Sequence, residues 1–235
     1  MTLIQIGLER NVEGRTLAWA LDHPGVFTYG ADDAEALLRM PREILKFESW
    51  LNLHTDQPWV QLESLDMHID ETFDSFPVEV DGGIHGVHAF FRSDLVPLTE
   101  EEVQQALLVF NWQREELLAG VETLPSELIK HEFEGQRWTI EGILEHIARV
   151  ESWYFSRLGF KISEPADGSD PYQLLNESSA IVNNCLPELI GFDQVFENHK
   201  ENWSARKLVR RLLWHQRDHI NHIRELALRK IQGES

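Results

Sequence analysis

The sequence of 235 residues contains a single cysteine, Cys185, and so excludes an internal disulfide. It contains no run of about 18 uninterrupted apolar residues, so no membrane-spanning helix is expected. The first ten residues lack a basic start followed by a long apolar stretch, and no secretory signal is expected. Together these absences predict a cytoplasmic protein that does not enter a membrane.

Positive charge is also scarce: the sequence has 21 lysines and arginines but 40 aspartates and glutamates, which gives a formal net charge of −19. Such a field repels a phosphate backbone, so nucleic acid is not an expected partner. The segment 204–231 is the exception, since it holds eight basic residues and only Asp218 and Glu225 as acids. Most of these bases are expected to pair with acidic neighbours such as Glu100–Glu102 or to face solvent.

The first 94 residues predict a small α+β domain. Short β-rich patterns cover residues 2–8, 16–21 and 25–29. A helical pattern then runs from Ala31 to about Leu53, and Pro41 is expected to kink or split this helix. Strand patterns return at residues 65–70 and 84–91, with a turn at Asp81-Gly82-Gly83 between them.

Residues 98–232 predict a second domain, an all-α, up-and-down four-helix bundle. Helix-start signals stand at Thr99, which forms a capping box with Glu102, and at Asp170-Pro171. Pro187 is expected to break or kink the third helix before about Lys200. The four helical patterns cover residues 99–120, 138–158, 170–200 and 204–231.

Histidines are concentrated on the last of these helices. His215 and His219 are four residues apart, so they share one face of the helix and could bind one divalent ion, with His222 close to the same stripe. A third ligand must come from another helix, and His146 is the candidate because apolar residues surround it in the second helix. The alternative is that these histidines are structural residues with hydrogen-bonded side chains.

Two separated stretches of the second part resemble the DinB-like family. They are Gln136–Ile147, which contains Trp138-Thr139 before a helical histidine, and Trp203–Leu208 running on to the His215-x-x-x-His219 motif. The resemblance covers about residues 98–231. It implies a four-helix bundle, often dimeric, in which a divalent ion such as zinc or nickel is held by one histidine of the second helix and two of the last.

By that resemblance the metal ligands are His146, His215 and His219. Members of the family include transferases that use low-molecular-weight thiols and a thiol-dependent maleylpyruvate isomerase. The resemblance therefore implies a metal-dependent thiol transferase or hydrolase that acts on a small molecule, with a thiol as a second cofactor and a homodimer as the assembly. The alternative is a non-catalytic metal-binding or small-molecule-binding regulatory protein.

Three further residues of the last helix are candidates for roles beside the metal. Arg211 lies one turn before His215 and could hold a carboxylate of the thiol or the substrate. His222 could contact a ligand histidine without binding the metal, could shuttle a proton, or could simply be solvated. Asp218 could orient the second nitrogen of a ligand histidine. Cys185 is interpreted as a buried structural thiol, and Trp138 as a core residue.

The segment Ala20–Ala36 resembles the HicB-like signature, over about residues 1–55 convincingly and to residue 94 loosely. The resemblance implies a β-β-β-α-β module, which in toxin–antitoxin systems binds a toxin. No DNA-binding segment follows it here. The module is therefore interpreted as an accessory unit that docks a protein partner or mediates dimerisation.

Overall fold

The computed structural model describes residues 2–61, 64–162 and 168–231. It divides into two compact units: Met1–Val96 with Asp193–Arg210, and Pro97–Phe192 with Arg211–Ser235. One boundary lies between residues 94 and 98, where the sequence places the domain border. The segment 193–210, which the sequence pattern assigns to the bundle, lies in the first unit.

The first unit is built on a four-stranded sheet of order β3-β2-β1-β4, in which β1 is antiparallel to β2 and parallel to β4. Helix α1 connects β3 to β4, which produces the β-β-β-α-β order that the HicB-like resemblance implies. The sheet and α1 share a core that includes Ile4, Ile6, Met40 and Ile44. The bounds are β1 Thr2–Val12, β2 Arg15–Ala20, β3 Phe27–Gly30, α1 Asp33–His54 and β4 Leu65–Asp74.

Helix α1 continues through Pro41, so the predicted split is wrong. Proline removes one backbone hydrogen bond, but the residues on either side hold the helix, because Met40 and Ile44 are fully buried against the sheet. The helix begins where the sequence predicts, with the Asp32 side chain accepting a hydrogen bond from the backbone N–H of Glu35.

Two hairpins complete the first unit: β5 Phe76–Val80 with β6 Gly83–Val87, and β7 Phe196–Asn198 with β8 Glu201–Trp203. Asp81 and Gly82 both have positive φ, which a two-residue hairpin turn of this hand requires. The predicted strand at 84–91 is shorter than expected. The predicted break at Pro187 is confirmed, because α5 ends at Cys185 and Pro187 lies in a 3₁₀ turn. The predicted helical pattern beyond it, to about Lys200, is wrong, because hairpin β7–β8 follows.

The basic residues at the start of the last helix are buried rather than solvated. Lys207 donates to Glu201 at 2.8 Å, with both side chains at most 1% exposed. Arg210 donates to Asp94 at 2.6 Å, and this pair is also buried. The expectation that most bases here face solvent or pair with Glu100–Glu102 is therefore wrong for these two. Glu201 of hairpin β7–β8 and Asp94 are themselves buried, and they provide the negative charges that these two buried bases need.

Among the described residues, the second unit contains α2 Glu100–Glu122, α3 Ser126–Ile129, α4 Ile140–Ser156, α5 Pro171–Cys185 and most of α6 Ala205–Ile231. The boundary between the units falls within α6. The helices bury one continuous core, to which α4 contributes Ile140, Ile143, Leu144, Ile147 and Ala148. The helical bundle is as predicted, whereas its up-and-down order remains a prediction. No helix in the described part of the chain is long and apolar enough to span a bilayer.

The predicted capping signals of the second unit are present. Thr99 and Glu102 form the reciprocal capping box at the start of α2, and Asp170 accepts hydrogen bonds from the first backbone N–H groups of α5. These local signals determine where α2 and α5 begin.

Candidate metal centre

Three histidine side chains meet between α4 and α6. The Nε2 atom of His215 lies 3.1 Å from that of His146 and 3.1 Å from that of His219. The three ligand nitrogens all lie within 4.8 Å of one another. His215 and His219 are 4% and 9% exposed, whereas His146 is only half-buried. The structure thus brings together the three residues that the sequence nominates as ligands.

The nitrogen geometry fits a metal ion better than hydrogen bonding. A neutral imidazole nitrogen carries either one N–H or one lone pair, so Nε2 of His215 can make a well-aligned hydrogen bond to only one of its two histidine neighbours. A cation that binds three lone pairs removes this conflict. Three bonds of about 2.0–2.1 Å in tetrahedral geometry would separate the nitrogens by about 3.3 Å, close to the observed contacts.

The protein holds these rings in the neutral form that binds metal. Burial lowers the pKa of His219 to about 3, and His146 and His222 contribute to that shift. Burial also lowers the pKa of His215 well below its usual value, with additional repulsion from His219, His146 and Arg211. The pKa of His146 is lowered by burial and by the charge of Arg137. The rings are therefore not protonated at neutral pH and their lone pairs are available.

Packing orients these ligands. Trp138 stacks on His146, with ring centroids 4.4 Å apart and planes 25° apart, while the ring of Tyr154 lies edge-on to His215 at 5.9 Å. The Nδ1 atoms of His215 and His219 have no hydrogen-bond partner in the described part of the chain. Asp218, proposed from the sequence to orient such a nitrogen, therefore makes no hydrogen bond to either of them.

His222 and Arg211 lie beside the three histidines rather than among them. His222 Nε2 contacts Gln136 Oε1 at 2.9 Å, and its ring centroid is 6.3 Å from that of His219. Arg211 is 6% exposed and its guanidinium lies 4.1 Å above the Trp214 ring. Its charge reaches His215, whose pKa it helps to lower.

Arg137 and Trp138 form one side of the site, which the sequence analysis missed. Arg137 is exposed and its guanidinium lies 4.6 Å from the centroid of the Trp138 ring. Trp138 is half-buried and packs against the core, as interpreted, but it also covers His146. The signal was available, because both residues directly precede the Thr139 cap of the helix that carries His146.

A buried polar network also went unnoticed in the sequence. Arg114 donates to Glu151 at 2.5 Å and to Gln216 at 2.8 Å, while Ser178 donates to Glu151 at 2.7 Å. Glu151 lies on the apolar stripe of α4, and Gln216 directly follows His215. A charged residue at a core-facing position of an amphipathic helix was the available signal. The network ties four helices together beside the histidines.

Comparison with known proteins finds one family model that covers most of the second unit. The model of the DinB family matches residues 98–224, a range that includes all three histidines. One solved structure is described as "YfiT from Bacillus subtilis is a probable metal-dependent hydrolase with an unusual four-helix bundle topology". It is 21% identical with a TM-score of 0.46, and the alignment covers 59% of this chain and 91% of that one. No match is found among curated proteins. The family match does not extend to residues 1–97, so the HicB-like resemblance remains a prediction.

Proposed function

This chain belongs to the DinB family, and we propose that it holds a divalent metal ion on His146, His215 and His219 and hydrolyses a small molecule there. The observation that carries the proposal is the convergence of three neutral imidazole nitrogens within 4.8 Å of one another. Such a donor set suits zinc and nickel.

Three imidazoles without charge leave the full charge of the ion uncompensated and leave coordination positions open, which is the pattern of catalytic rather than structural sites. When bound, the ion lowers the pKa of a coordinated water or thiol so that a nucleophile exists near neutral pH. The half-buried His146 provides the accessible side, whereas His215 and His219 are buried by the bundle. A substrate is therefore expected to approach past His146 and Trp138.

Water is the simpler nucleophile because it needs no second binding site. Transfer to a low-molecular-weight thiol, as implied for relatives, remains a second prediction for the same site. It is tested by adding thiols to the same reactions, since a transferase requires the thiol and a hydrolase does not.

Metal analysis tests the proposal directly. Protein purified without an affinity tag or chelator should contain, or take up, about one equivalent of zinc or nickel. His219→Ala should lose it, whereas His222→Ala should retain it because Nε2 of His222 contacts Gln136. No metal in the wild type, and no uptake on addition, contradicts the proposal. The metal-loaded wild type is then assayed on a panel of small esters and amides.

An exchangeable coordination position on the metal would distinguish an enzyme from a non-catalytic metal-binding protein. Azide added to the cobalt-loaded protein should change the visible spectrum if a coordination position is exchangeable. An unchanged spectrum at high azide would indicate a closed site and favour a metal-binding regulatory module, for which the first unit would be the partner-docking part.

A further inference from the structure

The accessible side of the histidine site carries an arginine held in place by stacking. The guanidinium of Arg137 lies 4.6 Å from the Trp138 centroid, and Trp138 in turn stacks on His146 at 4.4 Å. The guanidinium thus contacts the same indole ring that stacks on a candidate metal ligand. The cation–π contact restricts the arginine to this side of the site, although the side chain is exposed.

Arg137 has no carboxylate partner among the described residues, although the chain has a net charge of −19. Three other arginines of the same unit pair with acids. Arg224 and Arg217 pair with Glu116, and Arg114 pairs with Glu151.

We propose that Arg137 binds an anionic group of the substrate, so that the substrates are small molecules bearing a carboxylate or a comparable oxyanion. The guanidinium fork matches such a group with two parallel hydrogen bonds, while the reactive part of the molecule lies at the metal. This inference rests on the proposed function. It places the anion at Arg137 rather than at Arg211, the residue nominated from the sequence, which is buried against Trp214.

Dicarboxylates provide the probe, because one carboxylate can bind the ion while the other reaches the arginine. Succinate, glutarate and adipate are titrated into cobalt-loaded protein, each beside its monomethyl ester, and binding is followed in the visible spectrum. In the wild type the best diacid should bind about tenfold tighter than its ester, beyond the twofold statistical advantage of two equivalent ends.

Arg137→Gln should reduce this preference to about the statistical factor without changing cobalt uptake, and Arg137→Lys should retain part of it. Arg224→Gln is the matched control, since it removes one exposed arginine that already pairs with Glu116. A preference that persists in Arg137→Gln overturns the inference and leaves the proposed function standing. Failure of the wild type to bind cobalt overturns both.

Discussion

Metal binding at mildly acidic pH should release few protons from the histidine ligands. A histidine with a pKa of about 6.5 is roughly three-quarters protonated at about pH 6, so three ordinary ligands would together release about 2.3 protons. The lowered pKa of His219, about 3, leaves its ring essentially unprotonated. His215, with a pKa well below its usual value, contributes little, and His146 contributes less than its ordinary share. The expected release from the ligands is therefore below about 0.8 proton.

Isothermal titration calorimetry with zinc measures this number when it is repeated at about pH 6 in buffers of different ionisation enthalpy. A zinc-bound water with a pKa near 7 adds only about 0.1 proton at this pH. Release of two protons or more would refute the reasoning that burial keeps His215 and His219 neutral. His222→Ala is the control and should release the same number, because Nε2 of His222 contacts Gln136.

Further predictions concern the buried charges. The free energy of unfolding of the metal-free chain, measured in urea, should fall as the pH falls from about 6.5 towards 3. The reason is that the pKa of His219 is about 3 in the folded state and near 6.5 in the unfolded state, so the unfolded state binds more protons. His219→Leu should reduce this dependence of stability on pH. Glu151→Leu should cost about 3–5 kcal/mol in urea unfolding by leaving Arg114 buried without a counter-charge, and adding Arg114→Met should restore most of the loss. A double variant as unstable as the single one would contradict that account. Lys207→Met should likewise cost about 3–5 kcal/mol in unfolding free energy, whereas Lys46→Met, at an exposed pair, should change it by less than about 0.5 kcal/mol.

Local signals predict much of the fold. Thr99 and Asp170 start their helices as expected, because a cap depends on residues three positions apart and on little else. The same locality explains the failure after Cys185. Strands of three residues in hairpin β7–β8 have almost no pattern of their own, and they form because Glu201 and Trp203 are buried in the first unit.

The candidate site also has a part that the sequence predicts and a part that only the tertiary structure shows. The shared face of His215 and His219 follows from helical spacing, so the sequence identifies this pair without help. His146 was a candidate because apolar residues surround it and because the family resemblance includes it, but nothing local indicates that its Nε2 lies 3.1 Å from that of His215. The approach of Arg137 to the site could not be read from the sequence, because it depends on how Trp138 packs against His146.

The sequence by itself determined the helix starts, the α+β character of the first part, the bundle of the second and the three candidate ligands. Only the tertiary structure decided which charges are buried and which face the site. Lys207 and Arg137 are both basic residues in an acidic chain, yet one is fully buried against Glu201 and the other is exposed beside the histidines. The physical reason is that periodicity and caps act over a few residues, whereas the environment of a charge depends on elements far apart in the chain.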